Sequence, residues 1–348
     1  MTPAPVKPHG RRAVAWRVAG IAAGIALLVW AMRDVDPASL GASLVAVGPA
    51  VPLVLVPYGI GLVLHAEAWQ ILLAVRGTRV PLPSLVRAFM AAEAARMTLP
   101  AGEAVGESLA TWSLATRFGV SWGRAIAAVA AKKAWVFATN GLWLLVALTA
   151  GRDALGRLAA SLGPSGVWLP RATWLMAAIL VAAGASMLAL LQSPRARAIA
   201  ASLSKRLPER FRVPPATAAQ QAEPATTSLR AHAAAAFLLF AQWATEVFEA
   251  WLILDLLGVH LGAGEVIVLE LGGALIRSLA FFVPGGVGVQ DASYIAVLAA
   301  LGVPSATTAG AAFLVIKRSK EIVYVALGLL ALPRGARAGG GAPTESSR

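Results

Sequence analysis

The sequence contains no cysteine and carries little charge. None of its 348 residues is Cys and only 14% are charged, whereas soluble domains contain about 25% charged residues. The missing cysteine excludes disulfides, thiolate chemistry and Cys-ligated metal sites. The low charge, together with 58% hydrophobic residues and a mean hydropathy of +0.72, excludes an ordinary soluble domain. We therefore predict an all-α polytopic membrane protein.

Signatures of common enzyme sites are also missing from the sequence. The patterns GxxxxGK[ST], HExxH and GxSxG do not occur, and the four histidines are scattered. No Asp, Glu and His residues have metal-ligand spacing. The glycines of FFVPGGVGVQDAS at 281–293 follow no strand, so a dinucleotide-binding turn is excluded. We expect neither an enzyme nor a bound cofactor or metal.

Apolar runs near the length of a bilayer span recur along the chain. Two regions between them, 84–116 and 265–303, are interrupted by Pro and Gly, and we predict that they form re-entrant hairpins, with two short crossing helices in each region as the alternative. About six full transmembrane helices and eight or more hydrophobic segments result. The predicted spans are 13–32, 44–66, 125–150, 172–192, 231–257 and 305–332.

Basic and Pro-rich segments predict the domain boundaries and the orientation. The predicted organisation is a basic cytoplasmic tail at 1–12, a first membrane half at 13–192, a basic cytoplasmic linker at 193–230, a second membrane half at 231–333 and a disordered cytoplasmic tail at 334–348. Segments placed inside hold 17 Lys and Arg residues and those placed outside hold 4, which predicts that both termini are cytoplasmic in an inner or plasma membrane. Topogenic loops and anionic lipids then account for the net charge of +13, so we expect no nucleic-acid partner.

An internal repeat relates the two membrane halves. EAWQIL begins at Glu67 and EAWLIL at Glu249. Pro-Ala-Gly at 100–102 is followed by an acid seven residues after its proline, and so is Pro-Gly-Gly at 284–286. In both halves a lysine follows 33 residues after that proline. The predicted spans between the two elements invert the second half relative to the first, an arrangement typical of secondary transporters with broken helices.

The two broken segments predict a common site for a lipid headgroup. Free amides at a broken helix end bind anions, and lipid cannot satisfy them. An ionised side chain at mid-membrane costs at least about 2.5–3.5 kcal/mol, so the basic residues must pair or bind a charged ligand. The predicted headgroup-binding residues are Arg96, Pro100, Gly102, Glu103, Glu107, Lys132, Lys133, Arg277, Pro284, Gly285, Gly286, Gly288, Gln290, Asp291, Lys317, Arg318, Lys320 and Glu321.

Structural roles are the alternative for these residues. Ion pairs Glu107–Lys133 and Asp291–Lys317 would only tie each hairpin to the following span, or they would open to contact a headgroup during transport. Glu67 and Glu249 are interpreted as residues that cap or anchor helices at the membrane interface.

Two stretches carry a resemblance to a known family. RMTLPAGEAVGE at 96–107 and FFVPGGVGVQDASY at 281–294, with the later IKRSKEIVYVALGLL, resemble the transmembrane region of the lysylphosphatidylglycerol synthase/flippase-like family. The combination of FFVPGGVGVQDASY with IKRSKEIVYVALGLL is most similar to the branch of this family associated with hopanoid biosynthesis. The resemblance covers about 13–333, and Asp291 stands where many relatives have Glu. It implies an inner-membrane lipid flippase or lipid-handling protein, and we expect the aminoacyl-transferase domain of the larger relatives to be lacking.

Three functions follow as hypotheses. The first is a flippase-like translocator that binds a polar headgroup of an anionic or hopanoid-type membrane lipid between the inverted halves. The second is a non-transporting accessory of a lipid (hopanoid) or envelope glycan pathway, with lipid-biosynthesis enzymes as partners. The third is an intramembrane transferase that uses Glu107 and Asp291 as acid and base. The oligomeric state is left open.

Overall fold

The described part of the protein is entirely helical. A computed structural model describes residues 33, 35–99, 101–193, 228–279, 283 and 286–331, and no strand occurs within these ranges. The predicted tails at 1–12 and 334–348, the first predicted span at 13–32 and nearly all of the linker lie outside the described residues. The prediction of an all-α protein is confirmed for the part described.

Seven of the helices precede the linker. Asp36 caps the first of them, because its carboxylate accepts hydrogen bonds from the amides of Ala38 and Ser39. A 3₁₀ turn at Gly48–Ala50 joins the first two helices, and another at Gly163–Trp168 precedes the seventh. These helices are α1 (Pro37–Val47), α2 (Val51–Ala74), α3 (Leu82–Thr98), α4 (Gly102–Arg117), α5 (Trp122–Thr149), α6 (Arg152–Ser161) and α7 (Leu169–Gln192).

Four helices follow the linker within the described ranges, in an order that matches α2 to α5. A long helix comes first, two shorter helices separated by a break come next, and a long helix comes last. These helices are α8 (Leu229–Leu256), α9 (Ala263–Leu279), α10 (Val289–Ala300) and α11 (Ala306–Ala331). Each region predicted as a broken hairpin is therefore a pair of helices around an interruption.

Long apolar helices support a membrane location for only part of the predicted span set. Within the described ranges, three helical stretches are long and apolar enough to cross a bilayer, namely Pro37–Ala74, Gly163–Gln192 and Leu229–Leu256. A fourth candidate is α5 taken together with α6, which is bent from it by 83°. Helix α11 matches the predicted span 305–332 in position, but its charged residues keep it out of this set.

Helices α2 and α8 cross each other. Gly61 of α2 packs against Gln242 and Thr245 of α8, so the absence of a side chain allows a close approach. Further along α2, Leu72 shares a hydrophobic cluster with Ala235, which lies earlier on α8. The two helices are therefore antiparallel. Residues from both sides of this crossing form the site described below.

Both hairpins depend on glycine for their close packing. A Cβ atom at Gly102 would lie 1.9 Å from the carbonyl oxygen of Arg96, so α4 begins directly against the end of α3. In the second hairpin, Gly273 of α9 lies against the ring of Tyr294 of α10. Gly286 has a φ of +64°, a left-handed conformation that favours glycine. The two breaks are thus held in place by tight helix-to-helix contacts.

Candidate functional site

A cavity of about 420 Å³ lies at the crossing of α2 and α8. Its wall combines polar and aromatic side chains from both halves of the chain, together with residues that flank both breaks. The lining residues are Tyr58, Gly61, Leu62, His65, Phe89, Glu93, Arg96, Met97, Leu99, Gly102, Glu103, Lys133, Val136, Phe137, Asn140, Gln242, Trp243, Thr245, Glu246, Ala274, Arg277, Val283 and Gly286.

Six of the predicted headgroup residues line this cavity. The first hairpin contributes residues next to its break, and so does the second. Pro100, Pro284 and Gly285 lie outside the described residues. The six residues in the wall are Arg96, Gly102, Glu103, Lys133, Arg277 and Gly286.

The charges from the first half form a connected network on the cavity wall. Arg96 is ion-paired with Glu93 and also with Glu103, whose Oε1 lies 3.1 Å from Nη1. Lys133 Nζ lies 2.7 Å from the other carboxylate oxygen of Glu103. The side chain of Glu103 is 55% exposed and that of Arg96 is 36% exposed, so this network faces open space. These cations are already matched by acids.

Arg277 and Glu246 enter the same cavity from α9 and α8. Arg277 has no hydrogen-bond or ion-pair partner among the described side chains. Glu246 accepts a hydrogen bond from the Nε2 amide of Gln242, and no described cation lies within 4.0 Å of its carboxylate. Gly286 makes room for Arg277, because a Cβ atom there would lie 2.9 Å from the Cγ of that arginine. The second half therefore presents two opposite charges that do not pair with each other.

Lys132 and Glu107 are placed behind the cavity wall. Lys132 is 2% exposed, and its Nζ lies 3.2 Å from Glu107 and 4.9 Å from the ring centre of Trp69. The predicted pair Glu107–Lys133 is longer, at 3.8 Å. Lys133 turns toward Glu103 instead because it lies one residue further around α5. The closest cation to Glu107 is thus Lys132.

The remaining charges of the second half form a buried network on α11. Lys317 Nζ lies 2.7 Å from Glu270, and Lys320 Nζ lies 2.8 Å from Glu249. Glu249 is fully buried, so the interpretation of this residue as an interface anchor is wrong. Among the predicted site residues, Lys317, Arg318, Lys320 and Glu321 do not line the cavity.

Asp291 is also ion-paired with α11, through Arg318, and it closes the second break. Its Oδ2 accepts a hydrogen bond of 2.8 Å from the amide of Gly288, at the start of α10. Its Oδ1 accepts hydrogen bonds from Nε and Nη2 of Arg318, at 3.1 and 2.6 Å. The predicted pair Asp291–Lys317 is therefore wrong, because Lys317 faces Glu270 on α9. Gly288, Gln290 and Asp291 do not line the cavity.

Several polar residues of the site were missed by the sequence interpretation. Glu93 and Glu246 line the cavity, and Glu270 holds Lys317 behind it. Each is an acid inside an apolar helix, which is by itself a signal of a functional or paired position in a membrane protein. His65 and Asn140 also line the cavity, but a single polar residue in a helix gave no comparable signal.

The described residues give no sign of a metal centre. No group of three or more His, Asp or Glu side chains in these ranges is placed to hold a metal ion. The cavity offers charge recognition: a guanidinium without a partner among the described side chains, a carboxylate that accepts a hydrogen bond from an amide, and aromatic and amide side chains around them. Such a site suits a small polar group that carries charge.

Comparison with known proteins agrees with this membrane setting. No curated protein sequence matches the chain. The sequence profile of the lysylphosphatidylglycerol synthase TM region matches residues 17–328, which is most of the chain. With the long apolar helices, this match identifies an integral membrane protein of a lipid-related family. The chain belongs to the lysylphosphatidylglycerol synthase transmembrane region family.

Proposed function

We propose that this protein is a flippase-like lipid translocator that holds a polar headgroup in the cavity at the crossing of α2 and α8. The observation that carries the proposal is the position of Arg277, a guanidinium without a described partner, in a cavity lined by residues beside both breaks. An unpaired charge inside a membrane protein is costly unless a ligand or water satisfies it. The phosphate of a membrane-lipid headgroup supplies the missing anion.

An apolar groove beside the cavity supports a lipid as the ligand. The groove encloses about 420 Å³ between α2 and α8 and is lined by residues such as Leu53, Ile60 and Phe248. Thr245 lines both the groove and the polar cavity. A lipid can therefore place its headgroup among the charged side chains of the cavity while its hydrocarbon tail lies in the apolar groove.

The packing of the helices supports an inverted repeat of α2–α5 and α8–α11. The register set by Glu67 and Glu249 makes Leu62 equivalent to Ala244, and the helices cross next to these positions, at Gly61 and Thr245. An antiparallel crossing at equivalent positions is what a two-fold axis in the membrane plane requires. Other contacts occur in matching pairs: α3 packs on α11 as α9 packs on α5, and α4 packs on α5 as α10 packs on α11.

This repeat fits six full spans, with both broken regions re-entrant and both termini in the cytoplasm of an inner membrane. Helix α11 is included because its basic residues are neutralised by acids on neighbouring helices, as Lys320 is by Glu249. The basic loops supply the orientation. The hopanoid branch of the family remains a prediction from the resemblance alone. Partner enzymes of lipid biosynthesis and the absence of a nucleic-acid partner remain predictions from the sequence.

We propose no catalytic role for the cavity. The acid and base of the transferase hypothesis, Glu107 and Asp291, lie outside its wall and are held by cations of α5 and α11. A non-transporting accessory of a lipid pathway is the second candidate, since a headgroup site can also present a lipid to an enzyme.

Lipid movement in reconstituted vesicles tests the proposal. Purified protein in vesicles of phosphatidylcholine and phosphatidylglycerol is given a trace of acyl-chain-labelled phosphatidylglycerol, and dithionite quenching reports the outward movement of inner-leaflet label. We expect Arg277→Gln to slow movement at least about tenfold, the effect of losing one charge-assisted contact. Arg87→Gln is the matched control, because Arg87 is exposed on the second turn of α3. Absence of movement with every lipid tested would leave only the accessory function.

A further inference from the structure

We infer that the cavity takes a zwitterionic headgroup, with a phosphate at Arg277 and an ammonium group at Glu246. This inference rests on the proposed function and names its class of substrate. The ligand class is a phospholipid that carries one phosphodiester and one amine in the same headgroup.

The charge balance of the cavity favours a zwitterion over an anion. Three cations line it (Arg96, Lys133 and Arg277) and three acids face them (Glu93, Glu103 and Glu246). A purely anionic headgroup would compensate Arg277 and leave an excess negative charge next to Glu246. A headgroup with separated opposite charges keeps the cavity neutral, which is the cheaper arrangement where water is scarce.

The first-half charges do not compete for such a ligand. Glu103 bridges Arg96 and Lys133, and Glu93 also holds Arg96. These four side chains satisfy one another without a ligand. Arg277 and Glu246 are the charged residues of the wall that lack an oppositely charged partner among the described side chains.

Arg277 and Glu246 are also held apart from each other. No nitrogen of Arg277 lies within 4.0 Å of the Glu246 carboxylate, although both side chains enter one cavity. Gln242 fixes the carboxylate through its amide, one turn away on the same helix. Gly286 leaves space on the other side for the stem of Arg277. A ligand with a phosphate and an amine can bind Arg277 and Glu246 at the same time, whereas an ion pair between these two residues would leave neither charge for a ligand.

Lipid selectivity in the vesicle assay tests the inference. We compare acyl-chain-labelled phosphatidylethanolamine with phosphatidylglycerol and expect the wild-type protein to move the first faster. Glu246→Gln keeps the size of the side chain and its contact with Gln242, and we expect it to slow phosphatidylethanolamine about tenfold while phosphatidylglycerol changes little. Asp255→Asn, the same exchange on an exposed part of α8, is the control and leaves both rates unchanged.

Two results distinguish failure of the inference from failure of the proposed function. Equal slowing of both lipids in Glu246→Gln, or faster movement of phosphatidylglycerol by the wild type, overturns the zwitterion site and keeps the translocator. If no lipid moves in the vesicles, lipid binding in detergent tests the zwitterion site instead. Short-chain phosphatidylethanolamine should then raise the melting temperature of the wild type in detergent more than short-chain phosphatidylglycerol does, and Glu246→Gln should remove this difference. Equal stabilisation by the two lipids overturns the inference.

Discussion

The charged side chains of the two halves differ in their exposure, although the helices that carry them follow the same order along the chain. In the first half, Glu103 is 55% exposed and its partners Arg96 and Lys133 face open space. In the second half, acids that pair with the basic residues of α11 are buried, with Glu249 at 0% and Asp291 at 3% side-chain exposure. The first half thus presents an open polar wall of paired charges, whereas the second half contains a buried lock, the ion pairs of α11 with acids of its neighbours.

The difference follows from where the basic residues lie on the last helix of each repeat. On α5 the two lysines are adjacent, so one faces the buried side and the other faces the cavity. On α11 the basic residues at 317, 318 and 320 are surrounded by acids from α8, α9, α10 and their own helix. We infer that the second half is the rigid frame of the site and that Arg277 and Glu246 are its contribution to binding.

Neutralising one acid in each half gives the largest expected contrast. Glu249→Gln leaves Lys320 buried without its charge partner, and we expect a loss of about 3–5 kcal/mol in the free energy of unfolding. Glu103→Gln, at an exposed ion pair, should change it by no more than about 1 kcal/mol. Unfolding in mixed micelles, followed by tryptophan fluorescence, measures both. Similar losses in the two variants would contradict the division into an open wall and a buried lock.

Asp291→Asn tests whether the second break is structural. Asparagine can still accept the hydrogen bond from Gly288, but the charged contact with Arg318 is lost. We expect a stability loss of about 1–3 kcal/mol, because a buried charge-assisted hydrogen bond is weakened. Lipid movement per folded molecule should be unchanged, since Asp291 lies outside the cavity wall. Unchanged stability with abolished movement would restore the original interpretation of Asp291 as a headgroup residue.

Alanine at Gly286 is the next test, with Gly77 as its matched control. Both glycines are left-handed, at φ +64° and +69°, so alanine costs each about 1–2 kcal/mol. At Gly77 nothing else would lie within 4 Å of the new Cβ, whereas at Gly286 the stem of Arg277 must move. We expect similar stability losses but slower lipid movement only in Gly286→Ala. Equal movement in the two variants would show that the position of Arg277 does not matter.

The sequence predicted the organisation of the helices better than it predicted which acids and basic residues form ion pairs. Pro and Gly marked both breaks and the composition marked the long apolar helices, because backbone interruptions and apolar length are local properties. Partners such as Glu270 for Lys317 depend on how helices rotate against each other, which spacing along one chain does not specify. Glu246 stood out in the sequence as an acid inside an apolar helix, but the cavity that it shares with Arg277 depends on how α8 meets α9.

Relief of backbone strain at the first break has the smallest expected effect on stability. It tests whether the open wall of the first half depends on a fixed backbone at this break. Ala101 has a φ of +54°, while the second half has glycine at the matching position in sequence. Ala101→Gly should stabilise the protein by less than about 1 kcal/mol, because the strain removed is partly offset by the greater freedom of the unfolded chain. Ser305→Gly is the control, since Ser305 has a φ of +51° but is exposed before α11. If the open wall of the first half depends on a fixed break, lipid movement should fall in Ala101→Gly and stay unchanged in Ser305→Gly. Equal rates would mean that the break positions Glu103 through the packing of Gly102 on Arg96 alone.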